Sequence, residues 1–375
     1  MKFCISREFL NQATIRIQGV IQERSLAYLV IRASNDQSIE FAAMDRAFAI
    51  FSKFTTDVSE PGVVVIQAKM ISDIVRELPE GPIIITTLDN FVLIESRVNS
   101  EFSMKIPLIA DQSWQEPPIL EDRKHAEISS VKLAYMIEQV QFCINSESTR
   151  TYGTVAFLHR PHGNLCRLVG TDGYRLSYCE IENQLPDEFI KNGIALCKRS
   201  LAELHRICKE GYEKVKLSLS SDETTLLAEV PNYQLYMRLT QIKYPSYHAV
   251  IPKRSMESVV INRHQLHSIA KRVLLAADKN RSLHLCFNNS ALTLNSKNMG
   301  NSEGKETLIL PDYKGGLYEV AINGKYLMDV FSTMESEILS LQFNATSNEA
   351  PLVIEPKEEL AECHSKHVLV PIKNH

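Results

Sequence analysis

Ala68-Lys69-Met70-Ile71-Ser72-Asp73-Ile74 occurs, in altered form, three times in this chain. It returns as Lys198-Arg199-Ser200-Leu201-Ala202-Glu203-Leu204, and again as Gly324-Lys325-Tyr326-Leu327-Met328-Asp329-Val330. Each version has a basic residue in second place, aliphatic residues in fourth and seventh, and an acid in sixth. That spacing puts the aliphatic residues on one helical face and the charges on another. Around each version the neighbourhood is also alike. A short apolar run precedes the helix, and two further runs follow it, as in Pro82–Leu88 and Phe91–Ser96. The shared pattern covers residues 62–96, 193–230 and 318–355. A period this long marks copies of a domain rather than turns of a solenoid.

The first half of each copy follows the same plan. Ile5 and Leu10 recur as Ile128 and Leu133, then as Ile261 and Leu266. Phe9, Leu10, Ala13 and Ile17 form one helical stripe, and Leu266, Ile269, Ala270 and Val273 form another. After each helix comes a loop with an arginine: Arg24, Arg150, Arg281. Strands rich in branched and aromatic residues come next. Each copy therefore reads as two β-α-β-β-β units, giving an α+β class with mainly antiparallel sheets. Polar, proline-marked connectors divide the chain into domains 1–122, 123–252 and 253–375. All three are of ordinary domain size.

The rest of the chemistry is mostly exclusion. The N-terminus lacks the apolar run of a signal peptide, and no stretch is long and apolar enough for a membrane span. Eight scattered cysteines without a CxxC pair point to free thiols in a reducing cytosol. No phosphate-binding glycine loop, nucleophile elbow or HExxH is present. Asp172 beside Arg175 could serve as a catalytic carboxylate, but Asp-Gly also favours a tight turn. His264 and His267 lack a third metal ligand at useful spacing. No catalytic residue, metal site or cofactor is expected.

The helix faces are more informative. Lys69, Arg199 and Lys325 share one repeated position. Arg76 and Arg206 share another, and Arg16, Lys132, Lys271 and Arg272 lie on the remaining helices. An ordinary solvated face accounts for them one by one. In a repeated assembly they could instead form a basic surface that holds phosphates without reading bases, despite a net charge of −4.

Three segments break the repeat: Thr171-Asp172-Gly173-Tyr174-Arg175-Leu176, the run Tyr244–Pro252, and Val368-Leu369-Val370-Pro371-Ile372-Lys373. With the N-terminal Met1-Lys2-Phe3 and the threefold repeat, they make the chain resemble the bacterial DNA polymerase III beta subunit, the sliding-clamp family. The resemblance covers essentially the whole chain. It implies a non-catalytic, cytoplasmic bacterial processivity factor and a head-to-tail homodimer. In that dimer, helices line a ring around double-stranded DNA, read without sequence preference, and antiparallel sheets form the outside.

It also implies a pocket for short peptides from the polymerase III alpha subunit, the clamp loader and repair polymerases. The corresponding positions are Tyr152, Thr171, Gly173, Tyr174, Arg175, Leu176, Pro245, Val250, Val368, Leu369, Val370, Pro371 and Ile372. Tyr174 stands where the family usually has histidine, and Val370 and Ile372 replace methionines, so the pocket wall is stiffer. The resemblance assigns Arg24, Arg150, Lys279 and Arg281 to DNA contact at the ring mouth. Lys69, Arg199 and Lys325 go to the inner helices. Phe102 and Met104 would meet Leu274 and Leu275 of a second chain. Two rival readings are a monomeric recruitment module, which would not need an exposed seam, and an enzyme using Asp172 as a base.

Overall fold

The computed structural model describes residues 1–21, 27–96, 101–109, 123–182, 185–252, 257–300 and 302–372. Two long helices fall in each sequence copy: α1 (Arg7–Arg16) and α2 (Ala68–Glu77), α3 (Ser130–Val140) and α4 (Lys198–Cys208), α5 (Arg263–Val273) and α6 (Gly324–Thr333). Their starts follow from local chemistry. Ser6 caps α1 by accepting from Phe9 N, Asn262 caps α5 from Gln265 N, and Asn323 caps α6 from Lys325 N. On α5 the buried face is the stripe read from the sequence, Leu266, Ile269, Ala270 and Val273. On α2 the buried face is Ala68, Ile71, Ser72 and Val75, with Ile74 of the repeated pattern only half-buried, and on α1 Leu10 and Ala13 are buried while Phe9 is 40% exposed. None of the described helices is long and apolar enough to cross a membrane.

Among the described residues each copy has eight strands, and the first copy has a ninth, Asp57–Glu60. The chain divides into two compact units, residues 1–131 with 199–239, and residues 132–198 with 240–375. The first unit holds a five-stranded sheet, ordered 57–60, 2–6, 82–88, 91–96, 102–107. It also holds an eight-stranded sheet, ordered 124–129, 214–219, 225–230, 233–238, 48–55, 38–44, 28–34, 62–67. In the second unit the eight-stranded sheet runs 194–197, 155–159, 165–171, 175–182, 363–369, 352–356, 338–343, 257–262. The four-stranded sheet there runs 303–309, 291–297, 282–288, 318–323.

A rule emerges from this order. In both eight-stranded sheets, the fourth strand of one copy pairs antiparallel with the eighth strand of the next. Phe48–Thr55 pairs with Tyr233–Arg238 in the first unit, and Arg175–Glu182 with Cys363–Leu369 in the second. Two strands of these types remain at sheet ends: Phe102–Pro107, the eighth of copy one, and Glu303–Ile309, the fourth of copy three.

Polar and charged side chains also link successive copies within each unit. In the first unit, Arg16 is only 3% exposed. It donates to Glu210 through Nε and Nη2 (3.0 and 2.7 Å) and to the Asn232 carbonyl (3.0 Å), with the Tyr233 ring 4.5 Å away. Glu203 on α4 is buried close against Gly19, and desolvation raises its pKa. In the second unit, Gln139 of α3 donates to the Thr333 carbonyl at the end of α6 (3.0 Å), and Lys132 pairs with Glu362.

Candidate functional sites

Asp172 builds a turn. Its Oδ1 accepts from the backbone N–H groups of Tyr174 (3.0 Å) and Arg175 (3.1 Å). The Thr171 hydroxyl accepts from Gly173 N (3.1 Å) and donates to the Arg175 carbonyl (2.6 Å). Gly173 has φ +89°, a left-handed backbone that favours glycine, and it lies close against the Arg150 guanidinium. The turn leaves Tyr174 59% exposed. Arg150 lies 6.0 Å from the Tyr174 ring centroid and donates to the Tyr152 hydroxyl (3.2 Å).

The C-terminal run is tied to this turn. Arg175 and Leu176 pair with Leu369 and Val368, Val370 N donates to the Tyr174 carbonyl (3.0 Å), and Ile372 N to the Ala321 carbonyl (2.7 Å). Leu176 and Val368 are buried in one cluster with Val169, Tyr178, Val353 and Tyr247. The 244–252 segment joins that cluster through its tyrosines. The Tyr247 hydroxyl accepts from Arg167 Nη1 (2.9 Å) and lies 2.7 Å from His159 Nε2. Tyr244 stacks on Phe157 with centroids 4.8 Å apart and rings 5° from parallel.

The thirteen candidate pocket positions therefore separate by role. Gly173, Tyr174, Pro245, Val250 and Val370 are exposed, while Tyr152, Pro371 and Ile372 are half-buried. Thr171, Leu176, Val368 and Leu369 are buried beneath them. Arg175 is different. Its Nε binds Asp172 Oδ2 (3.0 Å), Nη1 binds Asp329 Oδ2 (2.5 Å), and Nη2 binds the Phe142 carbonyl (2.7 Å). The guanidinium also stacks 4.3 Å from the Tyr326 ring. It braces the turn against α6 rather than offering a free charge. The sequence carried no signal for Asp329, Tyr326, Phe142, Phe157 or Arg167 in this site, since each arrives from a distant segment.

Two buried histidines lie in this framework. His367 is fully buried, with Nδ1 2.9 Å from Ser177 Oγ and Nε2 without a partner. Burial lowers its pKa to about 3. Burial, followed by Arg167 and His248, lowers that of His159 to about 4, partly offset by a hydrogen bond involving Arg160. The unfolded chain therefore binds protons that the folded chain refuses. Stability should fall as pH drops from about 6.5 towards 3, by about 2 kcal/mol at pH 5 for His367 alone. His367→Gln should flatten that part of a urea-melt pH profile, and an unchanged slope would exclude His367 as its source.

The basic candidates divide as well. Lys69, Lys325, Lys279 and Arg281 are exposed, with no ion-pair partner among the described residues. Arg199 is a correction to the expectation of three equivalent solvent-facing cations. It pairs with the buried Asp45 carboxylate, donates to the Gly19 carbonyl (2.9 Å), and covers the Phe48 ring at 5.1 Å. The repeated position is the same, but in copy two the packing of α4 on copy one supplies it with a partner. Arg16, Lys132, Arg76, Arg206 and Arg272 are ion-paired too. Arg150 belongs with the Tyr174 cluster, and Arg24 lies outside the described residues.

At the expected seam, Met104 and Leu275 are exposed, the latter by 85%, and Phe102 is half-buried. Leu274 corrects the expectation. It is 8% exposed and packs in the copy-three core against Gly324, where a Cβ would lie 2.4 Å from Leu274 Cδ2. The 3₁₀ turn Leu274–Ala276 at the end of α5 sends the two adjacent leucines in opposite directions.

Family models of the DNA polymerase III beta subunit match the N-terminal domain at residues 1–111, the central domain at 127–246 and the C-terminal domain at 248–373. The chain belongs to the DNA polymerase III beta subunit family. It is 25% identical over 379 residues to the beta sliding clamp of Pseudomonas aeruginosa, with both chains covered completely. The crystal structure of the DNA polymerase III subunit beta from the same organism superposes with a TM-score of 0.87 at 22% identity, covering all of both chains. A DnaN sliding clamp from Bartonella birtlesii, bound to griselimycin, superposes at 0.88 with 23% identity and the same complete coverage. This chain has their three-domain clamp fold.

Proposed function

We infer that this chain is a DNA sliding clamp that gives the replicative polymerase processivity and catalyses nothing itself. It acts as a head-to-tail homodimer whose three domains per chain, 1–122, 123–252 and 253–375, close a ring around duplex DNA. The observation that carries the ring is the pair of unfilled strands. Within the chain, the fourth strand of a copy always meets the eighth strand of the next. Glu303–Ile309 and Phe102–Pro107 are the fourth and eighth strands still at sheet ends. Joining them between two chains repeats the internal join and closes by rotation. It also removes edges that would otherwise invite aggregation.

Transferring the internal register sets Phe102 opposite Glu306, Met104 opposite Gly304 and Lys105 opposite Glu303. The last pair is complementary in charge. Lys105→Glu should weaken the dimer several-fold, and Glu303→Lys in the same protein should restore it. Sedimentation of both variants reads this directly, and no recovery in the double variant would refute the register.

Lys69 and Lys325 are the inner-face cations best supported, with Lys279, Arg281 and Arg24 at the ring mouth. Arg199, half-buried and paired with Asp45, is the least available of the three repeated cations. Few contacts and no base readout let the ring slide, so retention comes from topology and the affinity can stay low. Clamp retained on circular DNA but lost from linear DNA after loading establishes encirclement, and equal loss from both overturns it.

The exposed patch of Tyr174, Val250, Val370, Pro245 and half-buried Ile372 receives short peptides from the polymerase III alpha subunit, the clamp loader and repair polymerases. Its buried floor of Leu176 and Val368 keeps the shape fixed, which limits the conformational cost of binding. Arg150, exposed beside Tyr174 at the edge of this patch, also joins the cations proposed for DNA contact at the ring mouth.

A further inference from the structure

The outward face of α5 is basic from end to end. His264, His267 and Lys271 follow one another at spacings of three and four, opposite the buried Leu266, Ile269, Ala270 and Val273. His264 and Lys271 are exposed, and His267 is half-buried. With Leu10, Leu133 and Leu266 aligned, the same three positions hold Glu8, Asn11 and Ile15 in copy one, and Val131, Ala134 and Glu138 in copy two. The stripe is therefore particular to copy three. Helix α6 runs antiparallel beside it. Leu274, just past α5, lies against Gly324 at the start of α6, while Arg263 Nη1 donates to the Phe331 carbonyl (3.0 Å) and the His267 ring meets that of Phe331 edge-on at 6.1 Å. The exposed Lys325 of α6 thus lies towards the Lys271 end of the stripe. Carboxylates on the elements packed against α5 are engaged elsewhere or stand apart. Asp329 of α6 binds Arg175, and on strand 303–309 Glu306 binds Arg272 and Glu303 accepts from Asn295 (3.2 Å). Glu257 starts the strand whose other end leads into α5, and the exposed Glu335 and Glu337 follow α6. Lys297 and Lys305 add positive charge on the strands.

We propose that His264 and His267 are phosphate contacts for duplex DNA that take up protons as the DNA binds, so that the clamp grips DNA more tightly below neutral pH. This rests on the reading of the chain as a clamp whose helices face DNA. Partial burial, then Lys271, Arg263 and His264, lowers the His267 pKa, so the free protein holds that ring neutral at pH 7. His264 Nε2 lies 3.2 Å from Arg263 Nη2, where a neutral ring accepts a hydrogen bond that an imidazolium gives up. Duplex phosphates supply the negative charge that the free stripe lacks, which favours the protonated rings. Towards pH 8 both rings stay neutral, and Lys271 and Lys325 act alone. As pH falls towards 6, binding draws protons onto the rings, and each gains an ionic contact with the backbone.

The test uses the full chain and a rhodamine-labelled linear duplex, followed by fluorescence anisotropy at low salt between pH 8 and pH 6. Affinity should rise roughly three- to tenfold over that range, and the log–log salt slope should steepen by up to about 2. The protein carrying both His264→Gln and His267→Gln should lose most of that rise. With His264→Lys and His267→Lys instead, binding should be tight at both ends of the range. Every other histidine is common to the three proteins, so their differences isolate α5. A rise that survives the glutamine pair, or no rise in the unaltered chain, overturns the proposal. Retention of the unaltered chain on circular DNA separates this from the clamp reading. With retention intact, a failed pH effect removes only the role of the histidines, whereas its loss removes the reading on which they rest.

Discussion

Replacing Phe102 with aspartate should turn the protein into a monomer at concentrations where the unaltered chain is a dimer. Two effects add. The variant loses the burial of an aromatic side chain, about 2–3 kcal/mol. It also places a carboxylate opposite Glu306 in the proposed register, and like charges directly opposed on neighbouring strands repel. Together these raise the dimer dissociation constant by about 100-fold. Analytical ultracentrifugation across a dilution series measures it. The variant should fold normally, because Phe102 lies on an end strand and is only half-buried. Retention on circular DNA should disappear with the dimer. A Phe102→Asp protein that stays dimeric would remove the edge-to-edge join as the basis of the ring.

Replacing Arg175 with alanine should destabilise the fold by about 3–5 kcal/mol, as removal of one member of a buried ion pair does. The loss leaves the Asp172 and Asp329 carboxylates facing each other across an unfilled space, and the Phe142 carbonyl without its donor. Arg175→Lys should recover only part of the loss, because an ammonium cannot reproduce the planar fork and its stacking on Tyr326. Urea denaturation decides the matter. A variant of unchanged stability that merely binds peptide less well would make Arg175 a ligand contact instead of a brace. Asp329→Asn should destabilise in the same direction, and its effect should not add to that of Arg175→Ala, since both remove the same interaction.

Much of this protein can be read locally. Apolar spacing at Leu266, Ile269 and Val273 fixes a helix and its buried face within two turns of chain. The Asp-Gly turn at 172–173 is equally local, and the structure forms it with the hydrogen bonds that such a turn needs. The sequence also shows which segments break the repeat, and two of these, the 171–176 turn and the C-terminal run, become neighbouring strands. What it does not show is the strand Asp57–Glu60, which has too few residues to display a period and is held by its pairing with Lys2–Cys4.

The repeat and the element order were thus determined by the sequence alone, because side-chain periodicity and turn chemistry act over a few residues, while the clamp fold was legible only through the resemblance of the repeat-breaking segments to the sliding-clamp family. The fate of each charge was decided only by the tertiary structure. Lys69 and Lys325 are exposed, whereas Arg199 at the same repeated position is bound to Asp45. Leu274 and Leu275 are adjacent and alike, yet one is core and the other surface. A side chain's partner lies wherever packing brings a distant segment, and neither composition nor spacing along the chain records that distance.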